Sequence, residues 1–493
     1  MSSYRQIFKS TALVGGTQVV TTAIGIVRTK ALAVMLGPAG MGLAGLYMSA
    51  TGLVGSIAGL GISFSGVRQI AQAAAKGDER QVARTVMTLR YTSLLSGIVG
   101  TLVVLCCCVP IGRLTFGDDK HAWGVAVVSL TVLFSNVSNG QIALLQGLRR
   151  LKEMVTAEVI GAVFGTVASI VLVYFLRERG VAWFLVAMAA FSILTSWWFA
   201  RRVPVANLTF HWRELSAEAR GLVGLGVALM YASLIAAGVA YLSRVLVVRQ
   251  LGLDAAGLFQ ATWTLSTYYV AFILNAMAAD FIPRLTAAEK DNAAVNLMIN
   301  EQVEMGVLIA LPGVMATVLL APWVLRIFYS KDFVAAADII RWQVIGVFLR
   351  VVCWPIGAVL IAKGRSKLFM ATESIYAIIN VALLYVCTKV WGLTGIGVAF
   401  ALFYVVVTIA VYGVCNSISG FRWSGRSIKI LVPGCLAIAA VFCATSFLPV
   451  FWSLVFGAVL TLAVLVGCLA GLQKLLGVNL WQAVRRKFQP RTL

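Results

Sequence analysis

Residues 149–180 read RRLKEMVTAEVIGAVFGTVASIVLVYFLRERG: a basic break, a long apolar run and a second basic break. The run over 155–176 has the length a helix needs to cross the hydrocarbon of a bilayer, about 20 residues. The same alternation of apolar run and short polar break recurs along the chain. It predicts helices over 10–36, 43–67, 86–109, 121–145, 155–176, 181–200, 219–250, 256–282, 297–322, 333–361, 368–388, 393–415, 428–448 and 451–472, fourteen in all, so both termini share one side of the membrane. The predicted class is therefore an all-α integral membrane protein, with no room left for a soluble domain.

Composition agrees. Of 493 residues, 60% are hydrophobic and 12% charged, against roughly 25% charged in soluble domains. The formal charge of +22 does not point to nucleic acid, because the basic residues sit in brief loops and tails, where they suit an anionic membrane surface. With the N-terminus in the cytoplasm, 27 Lys and Arg fall in inner segments and 8 in outer ones. That asymmetry predicts that both termini are cytoplasmic. The first run resembles a signal peptide only in its leading Arg5 and Lys9; it is too long and lacks a cleavage pattern. The nine cysteines, three of them in the run Cys106, Cys107 and Cys108, show no metal or disulfide spacing and read as small buried apolar residues. His121 and His211 lie near no cysteine or acidic group that could complete a metal site, and no phosphate-binding G-x-x-x-x-G-K-[ST] occurs. No cofactor is implied.

A shift of 215 residues brings Leu36-Gly37 onto Leu251-Gly252, Gly42-Leu43 onto Gly257-Leu258, Arg150 onto Arg365, Lys152 onto Lys367, Glu158 onto Glu373 and Gly180 onto Gly395. Six predicted helices precede the second copy, so both copies enter the membrane the same way, related by an axis along its normal. The expected organisation is a six-helix lobe over 1–205, a second over 206–420, and two further helices with a basic tail over 421–493. Paired lobes facing a cleft suit alternating access.

Five basic residues fall inside the spans: Arg28, Lys30, Arg244, Arg341 and Arg350. A charge at the bilayer centre costs from about 2.5 kcal/mol upward, so such residues face a bundle interior or a wet cavity. Arg28 continues a helical stripe of Gln18, Thr21 and Gly25, and its counterpart at the repeat offset is one residue short of Arg244. Arg350 shares a face with Gln343, Gly346 and Gly357. Together these cations would suit a phosphate group. Arg341 reads as snorkelling to the interface, and Lys30 fits the interface and the cavity equally. The acidic residues Glu158, Asp280, Glu301, Glu304 and Glu373 fall near cytoplasmic helix ends. Glu158, Asp280 and Glu373 are candidates for coupling or gating, although local ion pairing explains them as well.

The stretch LAVMLGPAGMGLA at 32–44 resembles the first outer turn of the Wzx-type lipid-linked oligosaccharide flippases, which belong to the multidrug/oligosaccharidyl-lipid/polysaccharide exporter superfamily. Trp342, Gln343, Gly346 and Arg350, followed by Ile361-Ala362-Lys363 and Glu373, resemble helices 10 and 11 of the O-antigen and enterobacterial common antigen translocases. The resemblance implies a twelve- to fourteen-helix, two-lobed protein of the bacterial inner membrane. Its partner would be undecaprenyl-diphosphate-linked glycan, moved to the periplasmic leaflet alongside other polysaccharide assembly proteins. It also implies diphosphate-binding roles for Lys30 and Arg350, since guanidinium and ammonium groups bind phosphate through charge-assisted hydrogen bonds; Arg28 and Arg244 join them by stripe and repeat. The sugar, the oligomeric state and any coupling ion, proton or sodium, are left open. Three other readings remain: a multidrug or cation exporter of the same superfamily, which would want an acidic cavity; a membrane-embedded polymerase or glycosyltransferase, which would need a catalytic acid or base; and a structural lipid-binding membrane protein without transport, which would share the basic cavity.

Overall fold

The computed structural model describes residues 3–117, 119–203 and 212–476, with side chains throughout except at 3–14, 212–229, 269–273, 275–280 and 476. It is all-helical. In chain order the helices are α1 (Ser3–Ala58), α2 (Ile62–Ala75), α3 (Glu79–Cys106), α4 (Cys108–Phe116), α5 (Ala122–Val128), α6 (Leu130–Gly147), α7 (Leu151–Leu176) and α8 (Gly180–Ala200). They continue as α9 (Trp212–Leu251), α10 (Leu253–Ala287), α11 (Asn292–Phe328), α12 (Ala337–Ala362), α13 (Ser366–Trp391), α14 (Gly395–Ser419), α15 (Gly425–Phe447) and α16 (Val450–Leu476).

Eleven helical stretches of the described residues are long and apolar enough to cross a membrane. The protein is a multi-pass membrane protein. Two stretches are far longer than one crossing requires. Gly15–Ala58 runs 44 residues, and Leu151–Ala200 runs 50 across α7 and α8. The first is broken at Gly37, whose φ of 65° and ψ of −169° leave the helical region, and Pro38 begins the next segment; proline lacks the N–H that a first turn cannot use anyway. The expected span over 86–109 is divided at Cys107, where α3 ends and the short α4 begins. Local chemistry sets other ends: Asp78 accepts a 2.9 Å bond from Gln81 N at the start of α3.

The repeat is written into the backbone. Arg149 (φ 56°) and Gly364 (φ 64°) are both left-handed at the same offset of 215. Arg177 (φ 52°, ψ −129°) and Gly392 (φ 54°, ψ −129°) likewise share one conformation. L-residues adopt such angles at a cost of about 1–3 kcal/mol, so two arginines hold a geometry that glycine holds in the other copy. Each turn also closes with the same bond, Arg150 N to Leu145 O at 2.8 Å and Arg365 N to Leu360 O at 2.9 Å.

Packing divides the chain into two units, one of residues 1–261 with 326–333, the other of 262–325 with 334–493. In the first, α9 packs on α1, α2, α3 and α4, so packing groups it with the helices before it, whereas the repeat starts a new copy there. Side-chain bonds tie α9 to α4: Thr115 Oγ1 with Tyr241 Oη (2.7 Å), and Arg249, which donates to the carbonyls of Arg113 (2.6 Å) and Leu114 (3.1 Å). The core of this unit gathers Ile70, Val86, Leu89, Leu144 and Leu145. Within the same unit, a Cβ on Gly42 would meet the Leu253 carbonyl, and one on Gly257 would meet the Pro38 carbonyl. Positions 38 and 253, and 42 and 257, correspond at the 215 offset, so the contact is made by the same positions in both copies.

In the second unit α12 packs on α13 and α14, around a core of Leu274, Ala310, Val347, Val351 and Phe400. A polar ladder on α11 fastens the segment 419–427. Asn296 Nδ2 donates to the Ser419 carbonyl (3.0 Å), Asn300 Nδ2 to the Arg422 carbonyl (3.1 Å), and Glu304 accepts from the hydroxyls of Ser424 (3.1 Å) and Ser427 (2.8 Å). Glu304 is buried, and Arg426 Nε approaches it to 3.3 Å. The cysteines are not uniformly buried as expected: Cys353, Cys387, Cys415 and Cys468 are, while Cys106, Cys107, Cys435 and Cys443 are exposed. A lipid-facing surface accepts a weakly polar thiol as readily as a core does.

Candidate functional site

Apolar helices position the intramembrane cations, and each cation meets a different environment. Arg244, on α9, is buried at 8% exposure. Its Nε donates to Gln260 Oε1 at 2.9 Å and its Nη1 to the Ala240 carbonyl at 2.8 Å, with the Phe259 ring centroid 5.9 Å from Cζ. Gly45 makes room for that glutamine, since a Cβ there would stand 2.7 Å from Gln260 Oε1. Every acceptor is neutral, and among the described residues Arg244 has no carboxylate partner.

Arg28 is half-buried on α1 and engaged by a neighbour; on its stripe Gly25 is buried and Gln18 exposed. Lys30 stands in a groove of about 540 Å³ formed by Val27, Val34, Met35 and Ile327, and its Nζ donates to the Arg326 carbonyl at 2.8 Å. The surroundings are apolar, and the ammonium finds a main-chain acceptor at a helix C-terminal turn. Arg341 is paired with Asp338 at 2.9 Å and donates to the Val318 carbonyl, in keeping with the interfacial reading.

In the second unit Arg350 stands with its Cζ 6.0 Å from the Tyr404 ring centroid. Glu373 of α13 lies within its electrostatic reach without forming a contact ion pair. The stripe shared with Gln343, Gly346 and Gly357 is mainly a packing face for α14: Gly346 abuts Phe400, Gly357 faces Val411, and Gln343 is fully buried. Gln343 Oε1 accepts from Ser266 Oγ at 3.2 Å, and its Nε2 is left without a partner. Spacing alone does not separate a cavity wall from a helix contact. Glu158, the repeat counterpart of Glu373, is exposed and joins no ion pair among the described residues. The Asp280 side chain lies outside the described residues.

Sequence reasoning did not find an uncharged cavity that the structure shows. It holds about 700 Å³ in the first unit, between α1, α2, α6 and α8, with Met230 and Ser233 of α9 on its wall. Its polar lining includes Thr51, Ser56, Ser135, Asn136, Asn139 and Gln146, and none of its residues is charged. Arg28, Lys30 and Arg244 do not line it. A signal was available: α6 is rich in uncharged polar residues, and Thr131, Ser135, Asn139 and Gln146 recur on one of its faces. Among the described residues no group of three His, Cys, Asp or Glu side chains gathers as a metal site would need.

Comparison with known proteins places this geometry in a family. The chain is 25% identical over 372 residues to the lipid III flippase of Escherichia coli (strain K12), covering 74% of this chain and 87% of that protein. The lipid III flippase of Shigella flexneri matches equally. Among solved structures, the inward-facing form of a multidrug resistance MATE family transporter of the MOP superfamily superposes with a TM-score of 0.69 at 17% identity, covering 81% of this chain and 95% of that one. The lipid II flippase MurJ in its inward closed conformation gives 0.65 at 11% identity, covering 96% and 100%. The chain accordingly has the fold that these two solved transporters share. The family model described as "Polysaccharide biosynthesis protein" matches residues 31–338, well over half the chain, and the protein belongs to that family.

Proposed function

We propose that the protein is a flippase that carries an undecaprenyl-diphosphate-linked oligosaccharide, an O-antigen-like or exopolysaccharide repeat unit, from the cytoplasmic to the periplasmic leaflet of the bacterial inner membrane by alternating access. The observation that carries this reading is Arg244: a buried guanidinium held only by neutral acceptors. Burying an uncompensated charge is expensive, and the chemistry that would compensate it is an anion such as a diphosphate, bound through charge-assisted hydrogen bonds. Arg28, Lys30 and, in the second unit, Arg350 are further candidates for phosphate contact, and Glu158, Asp280 and Glu373 would serve coupling or gating. The named relatives are flippases and transporters, and the protein is not an enzyme.

The reading includes fourteen spans with both termini cytoplasmic, lobes over 1–205 and 206–420 about an axis along the membrane normal, and a C-terminal helix pair over 421–493. The reciprocal contact of Gly42 and Gly257 supports it, because a two-fold axis brings equivalent positions together. A cation exporter has the same fold, but the cavity offers it no carboxylate.

Complementation of a flippase-deficient strain tests the proposal, with the stalled glycolipid identified by mass spectrometry. Rescue together with disappearance of the inner-leaflet intermediate is the expected result. Undiminished accumulation of that intermediate, with the protein present in the membrane, would sink it.

A further inference from the structure

The neutral cavity of the first unit has a chemistry that phosphate binding does not explain. Its wall carries hydroxyl and amide side chains, which both donate and accept hydrogen bonds, and it carries no charge in a protein of net charge +22. Ser135, Asn139 and Gln146 of α6 are exposed into it. Asn136, on the same wall, is only 7% exposed, and its Nδ2 has no hydrogen-bond partner. A buried amide donor without an acceptor costs about 1–3 kcal/mol, so the wall has unmet demand for a neutral acceptor. Ser192, on the wall, is held by Ser138 Oγ at 2.9 Å, and behind it Ser196 Oγ bonds to Gln141 Oε1 at 2.6 Å. Phe64, 61% exposed at the rim, presents an apolar ring.

The repeat sharpens the reading. At the 215 offset Ser135 corresponds to Arg350, Asn136 to Val351, Asn139 to Trp354 and Ala189 to Tyr404. One copy therefore carries a cation with aromatic neighbours where the other carries a hydroxyl and two amides. A phosphate would want the first set. A cationic drug would want carboxylates, of which the cavity has none.

We propose that this cavity is a saccharide subsite, holding a neutral, hydroxyl-rich portion of the glycan while the diphosphate is bound by the cations. Its volume lies within the roughly 300–1,000 Å³ typical of small-molecule sites, enough for a short oligosaccharide segment. The inference rests on the reading of the protein as a carrier of lipid-linked glycan, and it adds which part of the protein reads the sugar.

The test uses the full-length protein in liposomes with two fluorescent probes, a polyisoprenyl diphosphate bearing a neutral trisaccharide and the same lipid diphosphate without sugar. The wild-type protein binds the glycosylated probe more tightly. Asn139→Ala and Gln146→Ala each weaken that binding about fivefold, the scale of one neutral hydrogen bond, and leave the sugar-free probe unchanged, which also reports an intact fold. Equal wild-type affinity for the two probes overturns the subsite, as does a variant that binds both as the wild type does. A variant that loses both together means the wall serves the fold, and this overturns it too. Transport is scored separately: if the wild type binds the glycosylated probe selectively but moves neither probe, the carrier reading fails and the subsite stands.

Discussion

Replacing Arg244 with Met separates a binding role from a structural one, because a binding role predicts little change in stability with lost transport and a structural role predicts a large fall in stability. The substitution removes a charge whose placement at membrane depth costs at least about 2.5 kcal/mol. It also removes the bonds to Gln260 Oε1 and the Ala240 carbonyl, and leaving a buried acceptor unmet costs about 1–3 kcal/mol. Met keeps most of the apolar contact with Phe259. The two terms nearly cancel, so stability should change by less than about 2 kcal/mol in either direction. Transport loses a charge-assisted contact of about 1.5–3 kcal/mol, which is roughly a tenfold to hundredfold fall in rate or affinity. Thermal melting in detergent, alongside glycolipid flipping in proteoliposomes, measures both. Arg244→Lys should retain part of the activity, having the charge without the planar fork. A fall in stability beyond about 3 kcal/mol, with normal flipping by the protein that remains folded, would refute the reasoning.

Gly257→Ala should cost about 1–3 kcal/mol or more, since its methyl would collide with the Pro38 main chain, which cannot step aside; unchanged melting would count against that contact. Arg177→Gly should stabilise the protein by about 1–2 kcal/mol by relieving a left-handed arginine, while Gly392→Ala should destabilise it by a similar amount. A melting shift of the opposite sign in either variant would show that the shared turn is not strained. Glu304→Ala should cost about 2–4 kcal/mol through the bonds from Ser424 and Ser427, seen as earlier proteolysis in the segment 419–427; wild-type resistance there would contradict the anchoring role.

Most helices and several breaks were legible because bilayer crossing demands long apolar runs, and these breaks left their own marks: Gly37-Pro38, Arg149-Arg150, Gly364-Arg365 and Gly392. The breaks at 59–61 and at Cys107 fell inside the expected spans 43–67 and 86–109, with no charge or proline at either break to interrupt the apolar run. The 215-residue offset was legible because the turns between helices tolerate few sequences; even where Arg149 and Arg177 replace glycine, their neighbours kept the match. The environment of each cation was not legible. Periodicity puts Arg350 on a face with Gln343 and Gly346, yet it cannot tell that Phe400 of α14 fills that face. Nor does any local pattern pair Arg244 with Gln260, which lies on the next helix and reaches it only because Gly45 has no side chain. The uncharged cavity escaped notice because its wall is assembled from four helices and a fifth's edge, each contributing a few uncharged polar residues that look unremarkable alone.

The ladder of Asn296, Asn300 and Glu304 on α11 makes the last two helices more than an appendage. Shortening the chain before residue 424 would strip the buried Glu304 carboxylate of the Ser424 and Ser427 hydroxyls and the Asn300 amide oxygen of the Ser424 N–H and the Ser427 hydroxyl, opening a wound in the body that remains. A homologue without the final helix pair would need different side chains along this edge, and an apolar row there would mark a protein that never bore it.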